Sequence, residues 1–337
     1  MTPQRLASFN VDLDEVGEYY AIHGLGAPPP ALTRRVYELA LPRLLRFADA
    51  LELPLTLFVI GRDLDAVEAR RALTPFTSRG DELGNHSQDH AYDLSRRSEA
   101  ERREQLIHGA ASIAQLTGEA PLGFRAPGYT LSPALIGDLI DLGYRYDSSR
   151  FACPAYYAAK AAVLAWQRLR GRRSASVLDH PRVLLTPALP HRLEQAHSDG
   201  PMPGGALPAK SALQELPITV TRGLRLPFIG TSLALLGRSP LGAAPALWLT
   251  RQVEGLPFVN LSLHGLDFLD AQDGLSALSQ SQPDLRIPWQ RKAATFTAVV
   301  QRLRGRGYQF HTLAQVADRF RTDTLEVNSR TLPIPYG

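Results

Sequence analysis

Between residues 6 and 149 short apolar runs alternate with segments of helical periodicity, a rhythm that restricts the chain to folds built around a parallel sheet. Residues 6–13 read as a buried strand that ends in the acidic run Asp12-Leu13-Asp14-Glu15. A loop through Gly24, Gly26 and Pro28 to Pro30 leads to a predicted helix over 33–50, where Val36, Leu39, Ala40 and Leu44 recur at helical spacing. Residues 55–60 form the next strand. A helix over 64–77 follows, and the short strand 82–86 then delivers His86. Ser98 with Glu101 forms a capping box for a helix running to about residue 116, stopped by Gly118. Strand 122–125, a helix from Ser132-Pro133 to Gly143, and strand 144–148 complete the regular part.

From about residue 153 to 255 the rhythm is lost in a stretch rich in Pro, Gly, Ala and Arg, and it resumes with a strand at 256–263. So long an interruption of a regular α/β chain reads as a lid or added subdomain. Residues 288–303 are then helical, 308–310 a strand, and Thr312 caps a last helix. The expected architecture is a barrel from residues 1–150 and 256–321, an insertion over 151–255, and an extended tail over 322–337 carrying Pro333 and Pro335.

Composition limits the function. With 44% hydrophobic and 21% charged residues, the 337-residue chain has the balance of a globular protein. A lone Cys153 excludes an intrachain disulfide and suggests a reducing compartment. Residues 1–7 lack an apolar signal core, and the most apolar region, 224–250, is broken by Pro227, Pro240 and Pro245. A cytoplasmic protein, able to lie against a membrane, is the expectation. The net charge of +4 is too small, without an interleaved basic and aromatic surface, to argue for nucleic acid.

Five chemistry-bearing elements fall at the carboxyl ends of predicted strands: Asp12-Leu13-Asp14, His86-Ser87-Gln88-Asp89-His90, Arg125-Ala126-Pro127-Gly128-Tyr129, Tyr146-Asp147-Ser148-Ser149 and Leu261-Ser262-Leu263-His264. In a parallel sheet that edge is where reactive groups gather. Two imidazoles four residues apart can share one cation if a carboxylate joins them, although the same spacing is common on solvated surfaces. Taken singly, Asp147 can equally be a turn cap, Arg125 a structural ion pair and His264 a buried strand-end histidine.

In this order the five elements resemble the polysaccharide deacetylases, the NodB-homology or carbohydrate esterase family 4 enzymes, over residues 6–150 and 256–320. The resemblance implies a distorted (β/α)7 barrel and a metal-dependent amide hydrolase that acts on N-acylated sugars. It implies that Asp14, His86 and His90 hold a divalent metal, for which two imidazoles and one carboxylate suit zinc. Asp12 would be the general base, Arg125 would orient and keep it ionised, and His264 would protonate the departing amine. Asp147 would pair with His264 and raise its pKa, and the backbone N–H of Tyr129 would be the oxyanion donor.

One departure stands out, because Phe9 is followed by Asn10-Val11-Asp12 where the family's first motif has an acid pair. In the register Asn10-Asp12 the base is an amide and the chain becomes a catalytically weakened sugar- or lipid-binding protein. In the register Asp12-Asp14, which we favour, the acid pair is complete. The segment 156–173, alanine-rich with Trp166 and then Arg168, Arg170, Arg172 and Arg173, has the composition of an interfacial helix, and equally of an amphipathic helix covering the barrel. With the apolar 224–249 run it suggests an N-acyl sugar on a lipid carrier, handled at a membrane face.

Overall fold

The computed structural model describes residues 4–194 and 212–330. In chain order the elements are β1 (Arg5–Asp12), α1 (Val16–His23), α2 (Leu41–Ala50), β2 (Leu55–Val59), α3 (Val67–Ser78), β3 (Glu82–Asn85) and α4 (Glu99–Thr117). They continue with β4 (Gly123–Phe124), α5 (Pro133–Asp141), β5 (Tyr146–Asp147), α6 (Pro154–Leu169), β6 (His191–Glu194) and β7 (Ala212–Glu215). The last are α7 (Gly230–Gly237), α8 (Ala244–Arg251), β8 (Phe258–His264), α9 (Trp289–Gly305), β9 (Tyr308–Phe310) and α10 (Leu313–Arg330).

The strands lie in the order β6-β7-β5-β4-β3-β2-β1-β8, with β9 also on β1, and every pair but β6/β7 is parallel. Parallel strands covered on both faces are buried along their length and mostly apolar. β1 and β2 are accordingly buried almost end to end, and helices α2, α3, α7, α8 and α9 supply one large core around Phe9, Leu57, Leu261 and Phe296. The sheet curls into a distorted, incompletely closed barrel. Its two edges meet where the Thr219 N–H donates to Asn260 O (3.1 Å) and the Asn260 side chain donates to Leu216 O (2.8 Å) and Pro217 O (3.2 Å).

Several local expectations are met by the mechanism that motivated them. Ser98 and Glu101 exchange the reciprocal bonds of a capping box at α4, and the Ser132 side chain caps α5. The predicted 33–50 helix instead divides: a π-helical turn spans Val36–Ala40, with the Leu41 N–H reaching back to Val36 O, before α2 begins. Pro42 explains the change, since it has no N–H for the regular ladder. Helix α1 occupies residues left unassigned from the sequence. Strand β7, from within the 151–255 segment, pairs with β5 in the barrel sheet. Helix α10 runs to Arg330, so residues 322–330 are helical and not extended, while the rest of the predicted tail, 331–337, lies outside the described residues, as do 195–211. Among the described residues no helix is long and apolar enough to cross a membrane.

Glu15 fastens the loop after β1 to this scaffold. Its buried carboxylate accepts the N–H groups of Val16 (3.1 Å), Val36 (3.0 Å) and Tyr37 (3.1 Å), so the turn that presents Asp14 is tied to the π-helical turn. Removing the carboxylate strands buried donors, each costing about 1–3 kcal/mol. Glu15→Ala is therefore expected to lower unfolding free energy by about 2–4 kcal/mol in urea denaturation, with an unchanged m-value.

Candidate metal and catalytic site

The carboxyl ends of β1, β3, β4 and β8 converge on a small cleft of about 80 Å³, lined by Asp12, Asp14, His86, Tyr129 and His264 among others. A larger cleft of about 400 Å³ lies beside Glu15, between Arg34, Tyr37 and Asp63, and contains none of these groups. Chemistry, not volume, marks the smaller one.

Asp14, His86 and His90 are buried and present ligand atoms within 4.8 Å of one another. Nε2 of His86 lies 3.3 Å and Nε2 of His90 3.4 Å from the same Asp14 oxygen. Each ring is committed at its other nitrogen. His86 Nδ1 meets the carbonyl of Arg125 at 2.7 Å, and His90 Nδ1 meets the Glu18 carboxylate at 3.0 Å, with Glu18 itself paired to Arg62. Acceptors at Nδ1 draw the proton there and leave the Nε2 lone pairs facing a carboxylate. Asp14 Oδ1 and His90 Nε2 have no hydrogen-bond partner, a costly arrangement for buried acceptors unless a cation joins them. Burial works to raise the Asp14 carboxyl, yet the His90 and His86 rings outweigh it and hold it below the usual carboxylate range. The donor set thus fits a divalent ion such as zinc, with positions left open. Ser87 and His90 both adopt left-handed backbone (φ 67° and 54°), strain that local bonds such as His90 N–H to Ser87 Oγ sustain.

Beside this cluster Arg125 is wholly buried. Its Nη1 donates to Asp12 Oδ1 (2.6 Å) and to Asn10 Oδ1 (2.7 Å), its Nε to Ser148 O (2.8 Å), and its plane lies 4.1 Å from the centre of the Phe58 ring. Asn10 therefore stands one pleat deeper than the acids, bonded to Arg125 and to Asn260 (2.6 Å), while Asp12 and Asp14 reach the cleft. Asp12 Oδ2 accepts from the Tyr129 hydroxyl (3.3 Å), which also lies 3.1 Å from His264 Nε2. Burial, then the Asp12 charge, pushes the Tyr129 hydroxyl well above its ordinary pKa, so it stays protonated. The His264 ring accepts the Asp267 N–H, and the Asp267 carboxylate accepts the His264 N–H, which turns Nε2 into the cleft.

Two sequence expectations place groups differently. Asp147 does not meet His264. Its carboxyl accepts from Ser149 N–H (3.0 Å) and Ser149 Oγ (2.7 Å) and is hydrogen-bonded to Glu215 of β7. Burial raises both of these acids, and Asp147 raises Glu215 further, which favours one shared proton. The reason is topological: β7 inserts beside β5 and supplies the partner. The Tyr129 N–H is also not free, since it donates to Ala126 O (3.0 Å) to close the turn, and the residue contributes its hydroxyl instead. Glu18, Asp267 and Lys160 were missed. Only Glu18 left a trace, four residues after Asp14 and so one helical turn along.

Residues 35–146 match the family model described as polysaccharide deacetylase. A peptidoglycan deacetylase of Helicobacter pylori is 27% identical over 151 residues, 44% of this chain and 50% of that protein, so the chain spans about half the length of the curated relative it matches. A crystal structure described as a polysaccharide deacetylase from Pseudomonas aeruginosa superposes with a TM-score of 0.58 at 14% identity, covering 95% of this chain and 92% of that one. Another described in the same terms, from Mycobacterium smegmatis, gives 0.53 at 17%, covering 99% and 96%. At these identities the two structures establish the fold alone.

Glu18→Ala removes the acceptor that sets His90, and zinc affinity, measured by competition with a chromophoric chelator, is expected to fall about 10–100-fold while the fold persists.

Proposed function

We propose that this chain, which belongs by residues 35–146 to the polysaccharide deacetylases, is a metal-dependent hydrolase that removes an acetyl or formyl group from the nitrogen of an amino sugar. The observation that carries this reading is the convergence of three buried ligand atoms, from Asp14, His86 and His90, two of them without a hydrogen-bond partner, with an arginine-tethered carboxylate and a strand-end histidine. A zinc ion held by the triad would supply Lewis acidity toward the acyl carbonyl and acidify water beside it.

The protein's own groups divide the remaining work. Asp12 accepts the proton of the attacking water at Oδ2, because Oδ1 is occupied by Arg125. The guanidinium also keeps this base ionised against the cost of its burial. Water adds to the amide carbon, and the C–N bond then breaks as the nitrogen gains the Nε2 proton of His264, which is replaced through the Tyr129 hydroxyl by the proton that Asp12 took from water. The products are a carboxylate and a sugar amine. Tyr129, whose hydroxyl donates to Asp12 and lies 3.1 Å from His264 Nε2, holds both acid–base atoms in register.

A lipid-linked substrate at a membrane face accords with α6. Val163, Trp166 and Leu169, at i, i+3 and i+6, are exposed, with Leu169 86% open to solvent, and Arg170 stacks 3.9 Å over Trp166. Arg168, Arg172 and Arg173 are exposed beside them. Apolar residues flanked by arginines suit an anionic lipid surface, and the same helix lines the cleft through Tyr156 and Lys160.

Elemental analysis with acyl release from N-acyl amino sugars tests the chemistry. Wild type should carry about one zinc per chain, His86→Ala should lose metal and activity together, and Asp12→Asn should keep metal while kcat falls about 10²–10⁴-fold. Metal-free, inactive wild type would refute the reading. For the surface, wild type should float with anionic liposomes and a Trp166→Glu, Leu169→Glu double variant should not, whereas equal recovery of both would remove the lipid assignment.

A further inference from the structure

We propose that Lys160 is an anion-binding residue of the cleft, so that the substrate carries a carboxylate or phosphate near its N-acyl group. This inference rests on the deacylase reading for the identity of the ligand's sugar, not for the existence of the anion site.

Lys160 lies on the second turn of α6 and lines the same cleft as Asp12, Asp14 and His264. An ammonium has three donors. Here it donates to the Gly128 carbonyl (3.3 Å) and lies 5.7 Å from the centre of the Tyr156 ring. Among the described residues no carboxylate comes within 4.0 Å of it; Asp179 acts on it only from beyond that distance. A partly buried ammonium with a single carbonyl partner leaves two of its donors unmet by the protein.

The other cleft groups explain why an anion, and not a neutral sugar, completes it. Arg125 is saturated by Asp12, Asn10 and Ser148 and cannot turn toward a ligand. The two acids and the histidines are committed to the chemistry described above. Lys160 is then the cation among the cleft-lining residues with donors to spare. Burial brings its pKa down to about 8, which leaves it charged near neutrality and readily stabilised by an incoming negative group. A carboxylate on the sugar or a phosphate linking it to a carrier supplies the same chemistry.

Equilibrium binding, read by calorimetry on the zinc-loaded full chain carrying Asp12→Asn, separates this from catalysis. Three ligands are compared: an N-acetylated disaccharide bearing a sugar carboxylate, its methyl ester, and an N-acetyl amino sugar 1-phosphate. At least one anion should bind about tenfold or more tighter than the ester, and which one does so identifies the source. Adding Lys160→Met should abolish that ratio and Lys160→Arg should restore part of it. An anion preference that persists in Lys160→Met, or no preference in its presence, overturns the proposal. Loss of affinity for all three ligands in proportion, in both variants, marks Lys160 as a support for the Gly128 turn and overturns it as well. A Lys160-dependent preference in a chain whose wild type releases no acyl group would retain the anion site while the deacylase reading falls.

Discussion

A buried guanidinium organises this molecule. Arg125 enters from the end of β4 and meets groups on β1 and β8 and in the loop after β5, with the Phe58 ring of β2 against its face. A charge in that position is tolerable only because Asp12 neutralises it and oxygen acceptors take its remaining donors. The pairing therefore does two things with one contact: it makes burial of both charges affordable, and it fixes which oxygen of Asp12 remains available. Asn10 fits the same logic. An acid there would add a second negative charge to a single cation, whereas the amide accepts from Arg125 and donates to Asn260 without unbalancing the centre.

The histidines show a second economy. Each has one nitrogen bound to a fixed acceptor, a backbone carbonyl for His86 and a carboxylate for His90, so the opposite nitrogens converge without freedom to turn away. The carbonyl belongs to Arg125. The residue that holds the Asp12 carboxylate through its side chain thus sets one prospective ligand through its backbone, and a displacement of β4 would disturb both together.

What could be read from the sequence follows how local each signal is. The capping box at Ser98 and Glu101 depends on residues three apart and was legible in full. The acid and histidine set was legible because each group follows an apolar strand and a parallel sheet gathers strand ends. The partners of those groups were not. Whether Asp147 faces His264 or Glu215 depends on a strand hidden in an irregular stretch, and no periodicity announces a four-residue strand there. The Tyr129 N–H is expected from the resemblance to be an oxyanion donor, and composition does not reveal that the turn through Gly128 closes on it. Lys160 is one of many polar residues on a helix, and only the packing of α6 over the cleft gives it a distinct environment.

The central strand has a temporal consequence. β1 comes first in the chain, yet its partners β8 and β9 come near the end, with Leu6 opposite Phe258 and Arg5 opposite Tyr308. Closing so long a loop must precede the contacts that reward it, which makes such pairings slow. During ribosomal synthesis the N-terminal strand has only β2 as a neighbour until most of the chain has been made. The apolar edge of β1 and the Asp12–Arg125 pair beside it thus wait, incompletely shielded, for segments not yet translated. The cleft at the end of β1 is thus completed only when β8 has been added to the sheet.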